Sequence, residues 1–439
     1  MSKLKEVFLL RLAFPTADFV MGTKAMKWYK QLNQMEKWSP AEIDAWQLEN
    51  LKSLIHHVYN HTVYYREVFD NLKLKPEDIQ SFDDLKKLPI LTKNIIRQRF
   101  DDICSDVKIK TRKSSTGGTT GEPFKFLVDE NSWGIITAGK IKAWKTTGYR
   151  YGDMFLSLGS RSLFPVNKKS LIHEIYFRLR NTIPLNGMNM DDENCENFVQ
   201  LIKKHNIKYI YGFASPIYLL ALYCKRKNDN IKIDCAFSTA EKLTPQYREV
   251  IESTWNGRVM DCYGSRDGGM TAYEINPGRY NVTYNAYCET KEEGKASELF
   301  CTNLVERAFP LIRYQGGDDI LLASENEKMD YNGQVIKEVI GRTPDIMYFG
   351  NGHKLTFGGF NTLLRDFTCI KAFRLIKKDD FALKIQLQKN EQYMEQDEDL
   401  IIQTTKKYTG AEVEVIIEYV DEFKPLENGK RSFFMNETE

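Results

Sequence analysis

No Cys-x-x-Cys pair occurs among the eight cysteines of this 439-residue chain, and no histidine lies at metal-ligand spacing from two of them. Scattered thiols of this kind read as cytosolic and reduced. Charge of one sign is missing as well: 62 basic residues face 60 acidic ones. A nucleic-acid partner therefore has no electrostatic support. Long hydrophobic runs are also lacking. The nearest candidate, MSKLKEVFLLRLAFPTADFVMG at the N-terminus, is interrupted by Arg11 and falls far short of the ~20 apolar residues of a spanning helix. It reads as an amphipathic helix packed on the body, with a peripheral membrane anchor as the alternative. There is no internal repeat and no low-complexity segment. What remains is ordinary globular usage, 42% hydrophobic and 28% charged, at a length that suggests two or three domains around a large core.

The densest chemical signal is Ser114-Ser115-Thr116-Gly117-Gly118-Thr119-Thr120-Gly121-Glu122-Pro123. Three glycines let the backbone approach an anion and adopt positive φ, and the interleaved hydroxyls add donors, so the stretch suits a phosphate cradle; the plain alternative is a Ser/Gly-rich turn. A nucleoside-triphosphate P-loop needs a lysine after its last glycine, whereas here Gly121 precedes Glu122 and Pro123, so that reading fails.

Three further elements follow in order: Tyr263-Gly264-Ser265-Arg266-Asp267-Gly268-Gly269, Arg313-Tyr314-Gln315-Gly316-Gly317-Asp318 and Gly341-Arg342-Thr343-Pro344-Asp345. With the loop they resemble the signature set of adenylate-forming enzymes: phosphate loop, adenine-side motif, ribose motif and interdomain hinge. The wording of the loop, of "TNLVERAFPLIRYQGGD" and of "YGSRDGG" resembles the phenylacetate–CoA ligase-like branch, within it the members associated with capsular and other surface polysaccharides. The resemblance covers nearly the whole chain, including "YNHTVYYREVF" and "LKKLPILTKNIIRQRF" in the lead-in. Some relatives carry a Cys/His zinc site between the second and third elements. Here Ala272-Tyr273-Glu274-Ile275 and Tyr280-Asn281-Val282 stand there without the pair, so no structural zinc is expected.

Along the chain, residues 1–100 read as a helical lead-in whose apolar residues recur at three- and four-residue spacing, as packing surface and not chemistry. His56, His57 and His61 lie on it, and as a metal site they lack a third ligand. From about 110, the short runs "DMFLSLGS", "IKYIYGF", "IDCAFST", "GRVMDCYGS" and "ELFCTNL" alternate with helical segments, the pattern of a mainly parallel sheet with ligand-binding loops at its carboxyl ends. The fold class is α/β: a large N-terminal adenylate-forming domain, 1–345, and a small mobile C-terminal α/β domain, 346–439.

The resemblance implies activation of a carboxylic acid. Its carboxylate attacks the α-phosphorus of ATP, pyrophosphate leaves, and the acyl-adenylate passes to a second nucleophile. That step needs donors around the phosphates, a divalent cation and a positive side chain. By resemblance, Ser115, Thr116, Gly117, Gly118, Thr119, Thr120 and Gly121 meet the phosphates, Thr119 and Thr120 most directly. Asp267, where the family has glutamate, holds Mg²⁺ with one methylene less reach. Arg266 is a charge partner, a phosphate contact or a substrate-carboxylate contact. Glu241 lies at the adenine edge, or serves as a helix N-terminal acid. Tyr263 stacks on the base beside Gly264 and Ser265, Asp318 takes the ribose diol with Asp319 as its competitor, and Arg342 of the hinge element also binds the nucleotide. Lys430, near Lys424 and Arg431, matches the catalytic lysine that the small domain delivers, and Asp345 the hinge, stiffened on its approach by Pro344. Tyr211, Gly212, Phe213 and Ala214 match the acid-binding segment, although aromatics are more often plain core. The acceptor is coenzyme A by family, or an amine such as that of an amino sugar; a non-catalytic nucleotide- or acyl-binding module is the reading from another class. Oligomeric state is left open, with a homodimer among the options.

Overall fold

The computed structural model describes residues 23–116, 124–159, 181–187, 190–265, 267–328, 330–340, 346–356, 369–421 and 434–436, with a few single residues outside these runs. The chain forms two compact units. The first comprises Met1–Thr116, Phe124–Asp153 and Met260–Gly341; the second comprises Gly117–Pro123, Met154–Val259 and Arg342–Glu439.

In the first unit, α1 (Ala25–Met35), α2 (Pro40–His61) and α3 (Val63–Leu72) form the helical lead-in. Ser39 and Glu42 make a capping box and Pro40 sits in the first turn, which together fix the start of α2. Its Ile43, Leu51, Leu54, Ile55 and Val58 are fully buried. Tyr65 of α3 ties the lead-in to the distant segment 310–312: its hydroxyl donates to the Pro310 carbonyl (3.1 Å) and accepts from the Ile312 amide (3.0 Å). After the short α4 (Lys93–Gln98), the strands β1 (Thr111–Thr116) and β2 (Phe124–Asp129) pair in register up to Thr116 opposite Phe124. α5 (Glu130–Lys145) is capped by Asp129, which accepts from the amides of Asn131 and Ser132. Asp129 also accepts from the Arg307 amide, while its own amide donates to Glu306. The unit's sheet consists of β7 (Arg258–Ser265), β8 (Met270–Asn276), β9 (Arg279–Val282), β10 (Ala286–Thr290), β11 (Ser297–Asn303), β12 (Tyr314–Leu322) and β13 (Val335–Ile340). Their order is β10-β11-β12-β13-β9-β8-β7, and every neighbouring pair is antiparallel.

The second unit holds β3 (Phe155–Gly159), β4 (Thr182–Asn186), β5 (Tyr209–Phe213) and β6 (Cys235–Thr239), parallel in the order β6-β5-β3-β4. Helices α6 (Asp192–His205), α7 (Ala214–Lys227) and α8 (Pro245–Trp255) each end on an asparagine at positive φ, Asn206, Asn228 and Asn256, a conformation asparagine tolerates at a helix end. Their apolar faces and the strands share one core that includes Leu158, Ile210, Ala214 and Trp255. Farther on, β14 (Ile346–Tyr348) pairs with β15 (Lys354–Thr356). The hairpin of β16 (Ile370–Asp379) and β17 (Ala382–Lys389) is flanked by β18 (Glu414–Tyr419), parallel to β17, and β19 (Phe434–Asn436), parallel to β16, with α9 (Glu395–Thr409) between β17 and β18 in the chain.

The α/β class stands, and all five apolar runs singled out in the sequence are strands. The parallel share is smaller than expected. Strands β3–β6 and two pairs of the C-terminal sheet are parallel, whereas "GRVMDCYGS" (β7) pairs antiparallel with β8 and "ELFCTNL" (β11) antiparallel with both β10 and β12. The N-terminal amphipathic segment lies almost wholly outside the described residues. Among those described, no helix is long and apolar enough to cross a membrane.

Candidate active site

Two motifs come together in the first unit. The Tyr263 hydroxyl, at the end of β7, donates to Asp318 Oδ2 on β12 (3.1 Å). The Tyr314 hydroxyl, at the start of β12, donates to Asp267 Oδ2. The elements 263–269 and 313–318, some fifty residues apart in sequence, are therefore cross-braced by two tyrosine–carboxylate bonds. Burial pushes both phenols well above their ordinary pKa, and the partner carboxylates add to the effect. Each tyrosine consequently remains a donor at any physiological pH. Asp319, the competitor of Asp318, pairs with Glu298 and Ile340 in the β-ladder. Gly264 lies opposite Thr271 and Ser265 opposite Met270.

Lys93 was not among the expected site residues. The lead-in runs alongside β12: the Leu91 amide donates to the Arg313 carbonyl (3.1 Å) and the Gln315 amide to the Leu91 carbonyl (3.0 Å). Thr92 then caps α4 through the Ile95 amide. Lys93, the first helical residue, is thereby held with its Nζ 3.9 Å from Asp267 Oδ2 and 3.5 Å from the Gly316 carbonyl. The lead-in thus brings a cation beside Asp267 in addition to its packing surface. Its segment "LTKNIIRQ" was noted for its resemblance, but a lysine at a helix start carries no chemical signature of its own, so only the fold reveals its neighbour.

The backbone around these groups is locked by specific contacts. Arg313 adopts φ +52°, a region that costs a non-glycine residue of order 1 kcal/mol or more. It is held there by its amide bond to Thr302 Oγ1 (3.0 Å), by its guanidinium on Glu289 (3.1 Å) and on the Leu88 carbonyl (2.6 Å). Gly269 has φ +65°, and a Cβ there would lie 2.1 Å from Asn303 Nδ2. Only glycine meets both demands. The Gly269 carbonyl accepts from Asn285 Nδ2 (2.9 Å).

In the second unit, segment 211–214 ends one residue before Ser215, the partner of Glu241. Ala240 has φ +65° at the end of β6. Glu241 beyond it accepts from the Ser215 amide (2.8 Å) and hydroxyl (2.5 Å) at the N-terminus of α7. Glu241 is therefore an acid at a helix N-terminus, though of α7 and not of its own segment. Burial raises its pKa, against the two bonds from Ser215. Gly212 is required by strand packing, since a Cβ there would lie 1.9 Å from the Leu158 carbonyl oxygen. Tyr211 is half-buried, while Phe213 and Ala214 are buried, Ala214 within the main core.

Ser115 and Thr116 lie on β1. Gly117, Gly118, Thr119, Thr120, Gly121, Arg266, Arg342, Asp345 and Lys430 lie outside the described residues. His57 Nε2 bonds the Arg307 carbonyl and His61 Nδ1 bonds Asp106, both at 2.8 Å. Among the described residues no three His, Cys, Asp or Glu side chains form a metal-binding group. Asp267 offers one hard carboxylate, which fits Mg²⁺ because that ion takes one or two carboxylates and completes its shell with substrate phosphates and water.

Known proteins resemble the chain in fold and in sequence. A structure of 2-hydroxyisobutyryl-CoA ligase, solved with 2-HIB-AMP and CoA, superposes with a TM-score of 0.58 over 90% of each chain at 18% identity, which shows the fold. Phenylacetate-coenzyme A ligase of Escherichia coli (strain K12) is 27% identical over 320 residues, covering 66% of this chain and 69% of that enzyme. In sequence the chain is thus similar to adenylate-forming ligases of the phenylacetate–CoA ligase-like branch. Within that branch it is similar to Protein CapK of Staphylococcus aureus, 25% identical over 329 residues that cover 73% of this chain and 72% of that protein. The family model for the CapK C-terminal domain matches residues 347–437.

Proposed function

We propose that this protein activates a carboxylic acid with ATP as an acyl-adenylate and then transfers the acyl group to coenzyme A. The observation that carries the reading is the pair of tyrosine–carboxylate bonds, Tyr263 to Asp318 and Tyr314 to Asp267. They bring the adenine-side and ribose motifs to one end of β7 and β12. Asp318 takes the ribose hydroxyls, Tyr263 stacks on the base, and the loop Ser115–Gly121 donates to the phosphates. Asp267 would hold Mg²⁺, which neutralises phosphoryl charge as pyrophosphate leaves. Lys93, beside that carboxylate, adds positive charge from the lead-in. The acid sits against Tyr211, Gly212, Phe213 and Ala214, next to the Glu241–Ser215 contact. In this reading the chain divides at the hinge residue Asp345 into domains 1–345 and 346–439, and the smaller one brings Lys430 to the α-phosphate during adenylation. Scattered free cysteines support a cytoplasmic setting.

A second acceptor, an amine such as that of an amino sugar in surface-polysaccharide assembly, is the alternative that the sequence resemblance implies. Acid-dependent exchange of pyrophosphate into ATP, screened over aryl, fatty, hydroxy and amino acids, tests the first half-reaction without reference to the acceptor. Exchange with no acid, alongside measurable ATP binding, would mean a non-catalytic nucleotide-binding module. Supplying coenzyme A or amino sugars to the adenylate then separates the two acceptors.

A further inference from the structure

Cys288 on β10 and Cys301 on β11 are direct cross-strand partners, each 1% exposed. The ladder hydrogen bonds around them fix which kind of pair they are. The Lys291 amide donates to the Glu298 carbonyl (3.0 Å) and the Leu304 amide to the Asn285 carbonyl (2.7 Å). Counting by the two-residue alternation of an antiparallel ladder, 288 and 301 fall at a non-hydrogen-bonded position. Consistently, the amide and carbonyl of Cys288 turn away from β11 and bond the side chain of Gln334, at 2.7 and 2.8 Å. Non-hydrogen-bonded partners have Cα atoms about 4.5 Å apart and side chains on one face, within the range of about 4.4–6.8 Å that a disulfide spans.

The same ladder holds the loop that carries Asp267. Cys301 Sγ donates to the Gly268 carbonyl (3.7 Å), Asn285 at the entry to β10 holds the Gly269 carbonyl, and Asn303 at the end of β11 lies against Gly269. Closing an S–S bond between 288 and 301 therefore acts on the loop directly. It removes the thiol proton that bonds the Gly268 carbonyl, in a ladder whose two asparagines bracket Gly269. β10 is the edge strand of its unit's sheet, so local opening on that side admits a small oxidant.

We propose that Cys288 and Cys301 are a redox-sensitive dithiol whose closure to a disulfide by a peroxide disorders the Asp267 loop and switches off adenylation. In the step, one thiol is oxidised to a sulfenic acid as the peroxide O–O bond breaks and the first water leaves. The second thiol then displaces hydroxide from that sulfur, releasing the second water and forming S–S, so two electrons and two protons pass to hydrogen peroxide. In the resting protein, its hydrogen bond with Cys288 and its burial hold the Cys301 thiol well above its ordinary pKa, which keeps the reduced form in place under mild conditions.

The effect on activity rests on the adenylation reading; the disulfide and the loop response do not. The full chain is treated with hydrogen peroxide and compared with the untreated protein, with Cys288→Ser and with Cys288→Ala. Mass spectrometry after digestion without reductant is expected to find the peptides of Cys288 and Cys301 joined with loss of two hydrogens. Hydrogen exchange in residues 267–269 should quicken, and acid-dependent pyrophosphate exchange should fall about tenfold, within the range that displacement of a catalytic group produces. Dithiothreitol should reverse all three, and both Cys288 variants should retain activity and ignore peroxide. Unlinked thiols at 288 and 301 after other cysteines have oxidised would overturn the proposal, as would a linked pair with unchanged loop exchange, or equal inactivation of the variants. If the reduced protein has no exchange activity with any acid, the adenylation reading falls, and the linkage and hydrogen exchange still decide the dithiol.

Discussion

Replacing Tyr314 by phenylalanine removes one oxygen from a side chain that is fully buried. That oxygen donates to Asp267, whose carboxylate is 8% exposed and has Lys93 at 3.9 Å. A hydrogen bond to a charged group contributes about 1.5–3 kcal/mol, and a buried carboxylate that loses one also loses the compensation for its desolvation. Lys93 recovers little of this, since its own side chain is 39% exposed and partly solvated pairs are worth about 1 kcal/mol or less. The expected loss is therefore about 1.5–3 kcal/mol, or roughly 3–12 °C in the melting midpoint of a body of this size. Scanning calorimetry on both proteins measures it. A second consequence follows if Asp267 holds the cation: without its tether the carboxylate samples more orientations, so the Mg²⁺ concentration for half-maximal pyrophosphate exchange should rise severalfold. An unchanged midpoint would refute the energetic reasoning, and an unchanged Mg²⁺ curve would show that Tyr314 does not orient a metal ligand.

Four other outcomes are expected. Asp318→Ala should weaken ATP binding by up to two charge-assisted bonds of about 1.5–3 kcal/mol each, and titration calorimetry giving an unchanged dissociation constant would leave the ribose to Asp319 or to neither. Asp267→Glu should retain exchange while Asp267→Asn loses most of it, since an amide is a poorer ligand for a hard cation; superimposable Mg²⁺ curves for the three forms would remove Asp267 from the metal site. Lys430→Ala should abolish adenylate formation yet spare transfer from a preformed adenylate, and equal loss in both assays would sink its assignment to one half-reaction. Glu241 has a folded-state pKa raised by burial, so its stabilising share is complete below the ordinary carboxylate pKa and is lost as pH rises through the raised value; Glu241→Gln should therefore gain in melting temperature relative to the native protein as pH rises from about 4.5 to about 7.5, and a difference, variant minus native, that falls with pH would contradict the assigned direction.

The runs that became strands were legible because four to eight apolar residues closed by glycine or serine admit few other structures. Their partners' direction was not. "ELFCTNL" reads the same whichever way its neighbours run, and it proved antiparallel to both. At the site, Tyr263, Asp267 and Asp318 were marked by their motifs, but the bonds joining them depend on β7 and β12 ending near one another. Glu241 illustrates a different limit: its grip on Ser215 spans 26 positions and rests on the unusual backbone at Ala240, which no local pattern in "STAEKLTP" encodes. Lys93 was hidden most completely, because what distinguishes it is the parallel bridge of Leu91 to Tyr314.

That bridge sets a timetable for folding. The lead-in helices can begin to coil as soon as they are synthesised, but their ties to the rest of the unit span most of the chain: His57 to Arg307, Tyr65 to Pro310 and Ile312, separated by 245 to 250 positions. Closing contacts of such separation is slow. A nascent chain therefore carries the apolar faces of α2 and α3 uncovered until residues 304–315 have left the ribosome, a wait of many seconds at ordinary elongation rates. The first third of the protein is then a natural client for holding chaperones, and substitutions at Phe309 or Ile312 should reduce yield in the cell by lengthening that exposure as well as by weakening the finished fold.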